Sequence, residues 1–190
     1  MSIEEPFKHI IEDNYSAKKP VKEFLDKCFS DLIKELHITE DDYQARASKT
    51  GDMFEHAFWY LMKERFNMEL DRNKVIPKAC MERGGALDFG VVRGGEVLCG
   101  IEAKGSDVTA SVRPALKRTD TVKKAISQAY QFKRVFPDMP FYLVTNAKPT
   151  QGNGKCMLDL AKGDIIDDIV DITDSTELNA FAKKMKVYFT

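Results

Sequence analysis

The chain has little of what usually announces a function. Its four cysteines, Cys28, Cys80, Cys99 and Cys156, form no CxxC pair and match no histidine spacing. That excludes a clustered zinc site and leaves them as small hydrophobes in a reducing compartment. His9, His37 and His56 are far apart and offer no catalytic pairing, although His56 stands next to Glu55. The longest uncharged apolar runs, such as Phe141–Thr145, are far too short to span a bilayer. The acidic start, Met1 to Pro6, has no apolar core behind it, so a cytoplasmic protein is expected. Linkers rich in proline, glycine or serine, internal repeats and low-complexity tracts are missing, which predicts a single domain over 1–190. An excess of charge is missing too: the net charge of −1 argues against a general nucleic-acid coat protein.

What is present is a soluble globular composition, 43% hydrophobic and 31% charged, on a chain long enough to bury a core without staples. The charge is unevenly spread. Between Lys104 and Arg134 eight basic residues face only Asp107 and Asp120, a local +6 within a body that sums to −7. One face suited to an anionic polymer is a reading of that pattern; a solvated helix face is the other.

Apolar residues at three- and four-residue intervals predict helices over about 20–37, with Pro20 in the first turn, and about 50–67, capped by Ser48 or Thr50. Val75–Cys80 reads as an extended edge segment around Pro77. Ala86–Val92, the turn Arg93-Gly94-Gly95 and Glu96–Lys104 read as a β-hairpin. A polar loop over 105–119, a helix over 120–136 and a buried strand at Phe141–Thr145 follow. A glycine-containing loop at 151–154, an acidic-apolar stretch at 164–174 and a lysine-rich helix ending in a strand at 187–189 complete the chain. The class expected is α/β, a mixed central sheet of about four or five strands flanked by helices.

The chemistry concentrates on that hairpin. Side chains alternate along a strand, so Glu102 and Lys104 share a face while Ala103 turns to the other, and the hairpin brings Asp88 beside them. Two carboxylates and an ammonium are costly to bury unless they are paired or bound to a metal. Carboxylate oxygens suit Mg²⁺, which takes one or two of them together with waters and substrate phosphate oxygens. Such an ion lowers the pKa of a water and neutralises charge developing on phosphorus, while a neighbouring lysine orients or deprotonates that water. The plain alternative is a cross-strand salt-bridge ladder on a solvated sheet face.

Asp88, a gap of 13 residues and Glu102-Ala103-Lys104 on a hairpin resemble the PD-(D/E)xK nuclease superfamily, which holds most type II restriction endonucleases. The departure is Leu87, where the motif has proline. The resemblance covers about 50–146 and implies a restriction-endonuclease-like fold. It implies Mg²⁺, with Mn²⁺ able to substitute, held by Asp88, Glu102 and the Ala103 carbonyl, with Lys104 activating water. It places an acid on the helix before the core strands, which here is Glu55, with Asp52 its competitor, as a further catalytic and metal-supporting residue. Gln128, on the helix after the hairpin, is a possible supporting residue, as in some relatives. Ser106, Arg113, Lys117 and Arg118 then become phosphate contacts, and Arg46 and Lys49, just ahead of Glu55, DNA contacts, Arg46 to a base or the minor groove. The acidic 164–174 stretch is expected to face away from DNA. The most specific expectation is a homodimeric type II restriction enzyme cutting a palindrome in double-stranded DNA to leave 5′-phosphates. Its rivals are a structure-specific nuclease of the same fold, such as a Holliday-junction resolvase or a repair or phage nuclease, and a non-catalytic DNA-binding protein.

Overall fold

A computed structural model of the chain describes residues 6–39, 41–82, 85–109 and 114–189. Three helices come first: α1 (Phe7–Asn14), α2 (Val21–Glu35) and α3 (Tyr43–Phe66). In α2 the predicted stripe Val21, Phe24, Leu25, Cys28 and Leu32 is buried, but Leu36, also expected on it, is the exposed C-cap; Pro20 stands just before the first helical residue. In α3 the buried face is Met53, Phe54, Ala57, Phe58, Leu61 and Met62. This helix starts seven residues earlier than its apolar periodicity suggests. Asp42 caps it, accepting from the Ala45 amide at 3.3 Å, whereas Thr50 is buried and donates to the Arg46 carbonyl at 2.8 Å. Neither Ser48 nor Thr50 is the cap. The polar 43–49 segment is therefore the first two turns of the helix, and Asn67 closes it in the left-handed conformation (φ 55°).

The sheet has five strands in chain order: β1 (Asp71–Lys74), β2 (Leu87–Arg93), β3 (Glu96–Ala103), β4 (Phe141–Thr145) and β5 (Asp168–Asp171). The β1–β2 and β2–β3 pairs are antiparallel, and the β3–β4 and β4–β5 pairs are parallel. The fold is thus a mixed five-stranded α/β sheet. The β2–β3 hairpin turns on Gly94 and Gly95, both at positive φ (59° and 87°), which a two-residue turn of this kind requires. α4 (Thr119–Val135) links β3 to β4, and α5 (Gly152–Ala161) links β4 to β5; α6 (Ser175–Met185) follows the last strand.

Two apolar layers sandwich the sheet. α1, α2, α3 and α6 pack on the face carrying Phe89, Ile101, Ala103 and Val144. α4 and α5 cover the other, over Phe141, Leu143 and Ile169. Gly100 belongs to this second face, where a Cβ would lie 2.8 Å from the Phe132 ring of α4. Alternation from Gly100 turns Glu102 toward α4 and Ala103 toward α3.

Three further boundaries differ from the sequence reading. The edge strand is Asp71–Lys74, not 75–80; Pro77–Ala79 is a short 3-10 helix bracketed by an Ile76–Met81 bridge. Residues 152–154 begin α5 rather than a loop. Lys186–Tyr188 is a 3-10 turn, not a strand. No helix among the described residues is long and apolar enough to cross a membrane.

Candidate active site

At the C-terminal end of β3, where the sheet changes from antiparallel to parallel, the hairpin gathers four polar groups. The Ala103 amide donates to Asp88 Oδ2 at 2.8 Å, which locks that carboxylate onto the neighbouring strand. Lys104 Nζ donates to the same Oδ2 at 3.3 Å, to the Ala103 carbonyl at 3.1 Å and to Glu102 Oε1. The three oxygens expected to hold a metal thus converge on one cation, the ammonium. Glu102 is 0% exposed and its Oε2 is buried without a hydrogen-bond partner. With Asp88 and Lys104 only 15% and 19% exposed, this is no ladder on a solvated face.

The site carries more negative charge than it balances. Asp88, Glu102 and, from α3, Glu55 stand against one ammonium, a surplus of two when all are ionised. Burial, and then the Asp88 charge, push Glu102 up to about 8. Burial and Asp88 likewise push Glu55 up to about 8, against the opposing pull of Lys104. Burial alone would lower Lys104, but the Asp88 and Glu102 carboxylates outweigh it and hold the ammonium above its ordinary value. In this arrangement the group stands as a cation donating to Asp88, Glu102 and the Ala103 carbonyl. Among the described residues no set of three His, Cys, Asp or Glu side chains closes into a ligand cluster; Glu55 meets Asp88 through its field.

The donor set nevertheless fits a hard divalent cation. It offers two carboxylates and a carbonyl, all oxygen, at the octahedral ion's usual share of protein ligands. It also has an orphaned buried carboxylate oxygen, and a charge surplus of two.

Beside the cluster runs a groove of about 870 Å³. One wall is a stripe of α3 from Tyr43 through Arg46, Ala47, Thr50 and Gly51 to Glu55. The floor is Ala103–Asp107, and the far wall runs from Pro114 to the first turn of α4. Gly105 permits the close approach of floor and α3, since a Cβ there would lie 2.0 Å from the buried Phe54 ring. The end of β4 fixes the floor. Thr145 Oγ1 donates to the Lys104 carbonyl at 2.6 Å. The Asn146 amide group donates to the Ser106 carbonyl at 2.8 Å and accepts from the Ser106 amide at 3.1 Å.

Of the expected contacts, Glu55, Lys104, Ser106, Arg46 and Arg118 line this groove. Arg46 also has a structural partner: its Nη2 donates to Asp107 at 2.8 Å, and its Nε is buried without one. Arg118 pairs at the surface with Asp120 at 2.8 Å. Lys49, paired with Asp52 at 3.8 Å, exposed Lys117 and half-buried Gln128 lie outside the lining. Arg113 falls outside the described residues. No residue of 164–174 lines the groove; Asp168 instead pairs with Lys162 and Lys184, and Asp174 caps α6. His56 turns away from the site. It stacks on Phe7 with centroids 4.7 Å apart and takes a 2.9 Å hydrogen bond from Arg72 at Nδ1. Burial, with Arg72 adding to it, drops His56 to about 4.

Tyr43, Asp107, Thr145 and Asn146 escaped the sequence reading. Asp107 and Asn146 act across separations of 61 and 40 residues, which no local pattern reveals. Tyr43 had a signal, an aromatic on the segment already singled out ahead of Glu55.

The chain was compared with protein-family models, curated proteins and solved structures. It returns no significant match.

Proposed function

We propose that the protein is a Mg²⁺-dependent deoxyribonuclease that hydrolyses phosphodiester bonds at the Asp88–Glu102–Lys104 cluster. The observation that carries this reading is the convergence of Asp88 Oδ2, Glu102 Oε1 and the Ala103 carbonyl on a single cation position, with Glu102 Oε2 beside it unpartnered. Asp88, Glu102 and the Ala103 carbonyl would hold the ion, which supplies Lewis-acid stabilisation of charge on the phosphate. Lys104 keeps its proton. With substrate present its ammonium donates to a phosphate oxygen or to the attacking water, and so orients the attack and offsets developing negative charge. Glu55 faces the groove from α3 and would support the ion or its water shell; once a bound cation offsets the neighbouring carboxylates, its ionised form could accept a proton from that water. Ala103 ties Asp88 in place through its amide, and Thr145 fixes the backbone at Lys104.

The finer expectation, a homodimeric type II enzyme cutting a palindrome, is tested together with the chemistry. Wild type and Lys104→Ala are incubated with unmethylated duplex, single-stranded and branched DNA in Mg²⁺ or EDTA. Cleavage that needs Mg²⁺ and falls at least ~10²-fold in the variant is the expected outcome. Discrete fragments from the duplex would support site-specific cutting; preference for branched or unpaired DNA would support the structure-specific rival. DNA intact under every condition would remove the nuclease reading and leave the cluster as a buried structural ion pair.

A further inference from the structure

The groove beside the cluster has a shape and a lining of its own. It is a slot between two helices, and Lys104, at 19% exposure, lies on its floor rather than on a rim. Its volume of about 870 Å³ falls in the range of clefts, ~300–1,000 Å³, that enclose a ligand of small-molecule size. That is room for about a nucleotide or two, not for a length of duplex whose strands are held together.

One aromatic stands at the mouth. Tyr43 is 68% exposed on the first turn of α3, one helical turn from Ala47 and two from Thr50 and Gly51 on the same groove-facing stripe. Ala47, Thr50 and Gly51 are small, so beside the Arg46–Asp107 pair that crosses from α3 to the floor the stripe leaves space between the phenol ring and Glu55. An exposed aromatic at the entrance of a polar slot is the arrangement on which unpaired bases stack, because every base presents a π-face. Opposite it, Arg118 is half exposed, and its surface ion pair with Asp120 is of the weak kind that a phosphate can replace.

We infer that the groove takes an unpaired DNA strand, with a base stacked on Tyr43, its backbone passing Arg118 and the next phosphate delivered to Lys104. This rests on the nuclease reading for the identity of the polymer, but not on cleavage for its test. A duplex reaches the floor only where its strands part, at an end, a flap or a junction.

The test is binding by the full chain in EDTA, where the proposed chemistry is silent, read by fluorescence anisotropy. The probes are a labelled 12-nucleotide oligothymidylate and a blunt duplex of the same length. The single strand is expected to bind at least ~10-fold more tightly. Tyr43→Ala should weaken it by roughly 5- to 150-fold, the range seen when one stacking aromatic is lost, while Tyr43→Phe keeps it. The exposed position spares the fold, which circular dichroism checks. Equal or tighter binding of the duplex overturns the inference, as do an unaffected Tyr43→Ala and the failure of both DNAs to bind. Mg²⁺-dependent cleavage lost in Lys104→Ala stands or falls separately from all of these.

Discussion

Carboxyl groups that outnumber the cation beside them must take a proton, bind a further cation or destabilise the fold, and Glu102, buried against Lys104, and half-buried Glu55 face that choice. Both are raised from 4.5 to about 8. Each therefore contributes stability that is fully present below pH 4.5 and is lost as pH rises through about 8. His56 works in the opposite sense. Depressed from 6.5 to about 4, it contributes stability that is complete above 6.5 and lost as pH falls toward 4. Between pH 6.5 and 8 the carboxyl effect is thus unopposed by His56. In EDTA the melting temperature should fall across that window, and Glu55→Gln should flatten the fall by about half. Mg²⁺ should raise the melting temperature most at pH 8, where the carboxylates it binds are ionised. A melting temperature that is level from pH 6.5 to 8, with and without Mg²⁺, would contradict the charge surplus assigned to the site.

At the level of elements, the decisive contact is between α3 and the chain leaving β3. Gly105 lies against the face of Phe54, which is itself fully buried and has no room to swing away. Gly105→Ala forces the two elements apart, an overpacking that costs ~1–3 kcal/mol. A lowered melting temperature is expected, since the overlap is with Cγ and both Cδ atoms of Phe54 and not with its ring tip. Wild-type stability in Gly105→Ala alone would show that the approach is looser than described. That contact was invisible in the sequence, where Gly105 reads as the start of a polar loop. The hairpin was legible because its signals are local: a Gly-Gly turn flanked by strands whose alternation already put Glu102 and Lys104 on one face. β1 was misplaced because an edge strand reading Asp-Arg-Asn-Lys shows no apolar pattern, while Val75-Ile76-Pro77 beside it does. The early turns of α3 were missed because Arg46, Ser48 and Lys49 break the stripe, although Asp42 caps them. α5 was hidden by Gly152 and Gly154, which suggest a loop. Above all, the complete burial of Glu102 comes from α4 packing over β3, which hydrophobic periodicity on one strand does not record.

For the molecule as a whole, a net charge of −1 gives little long-range attraction for a polyanion. Within the basic window Lys104, Arg118 and Lys133 already hold acids, the last one Asp167 at 2.8 Å, and Lys117, Lys123 and Lys124 lie outside the groove lining. DNA should therefore be gripped locally, by the two or three cations at the groove. Single-strand affinity is expected to fall with salt at a log–log slope no steeper than about −2, the value for some three phosphates. A slope several times steeper, measured by titration between 50 and 200 mM NaCl, would point to a broad basic surface elsewhere on the chain.

Of the groups proposed to react, Asp88, Glu102 and Lys104 lie on one hairpin and Glu55 on α3, whereas the groove walls are contributed by α3, residues 103–107 and residues 114–121. On the proposed function, substitutions along Tyr43–Gly51 or at the start of α4 would change the shape of nucleic acid accepted while leaving the hairpin unchanged. A hairpin of this kind is also a graft: set into another sheet beside other helices, it would carry its cation site along and leave its preferences behind.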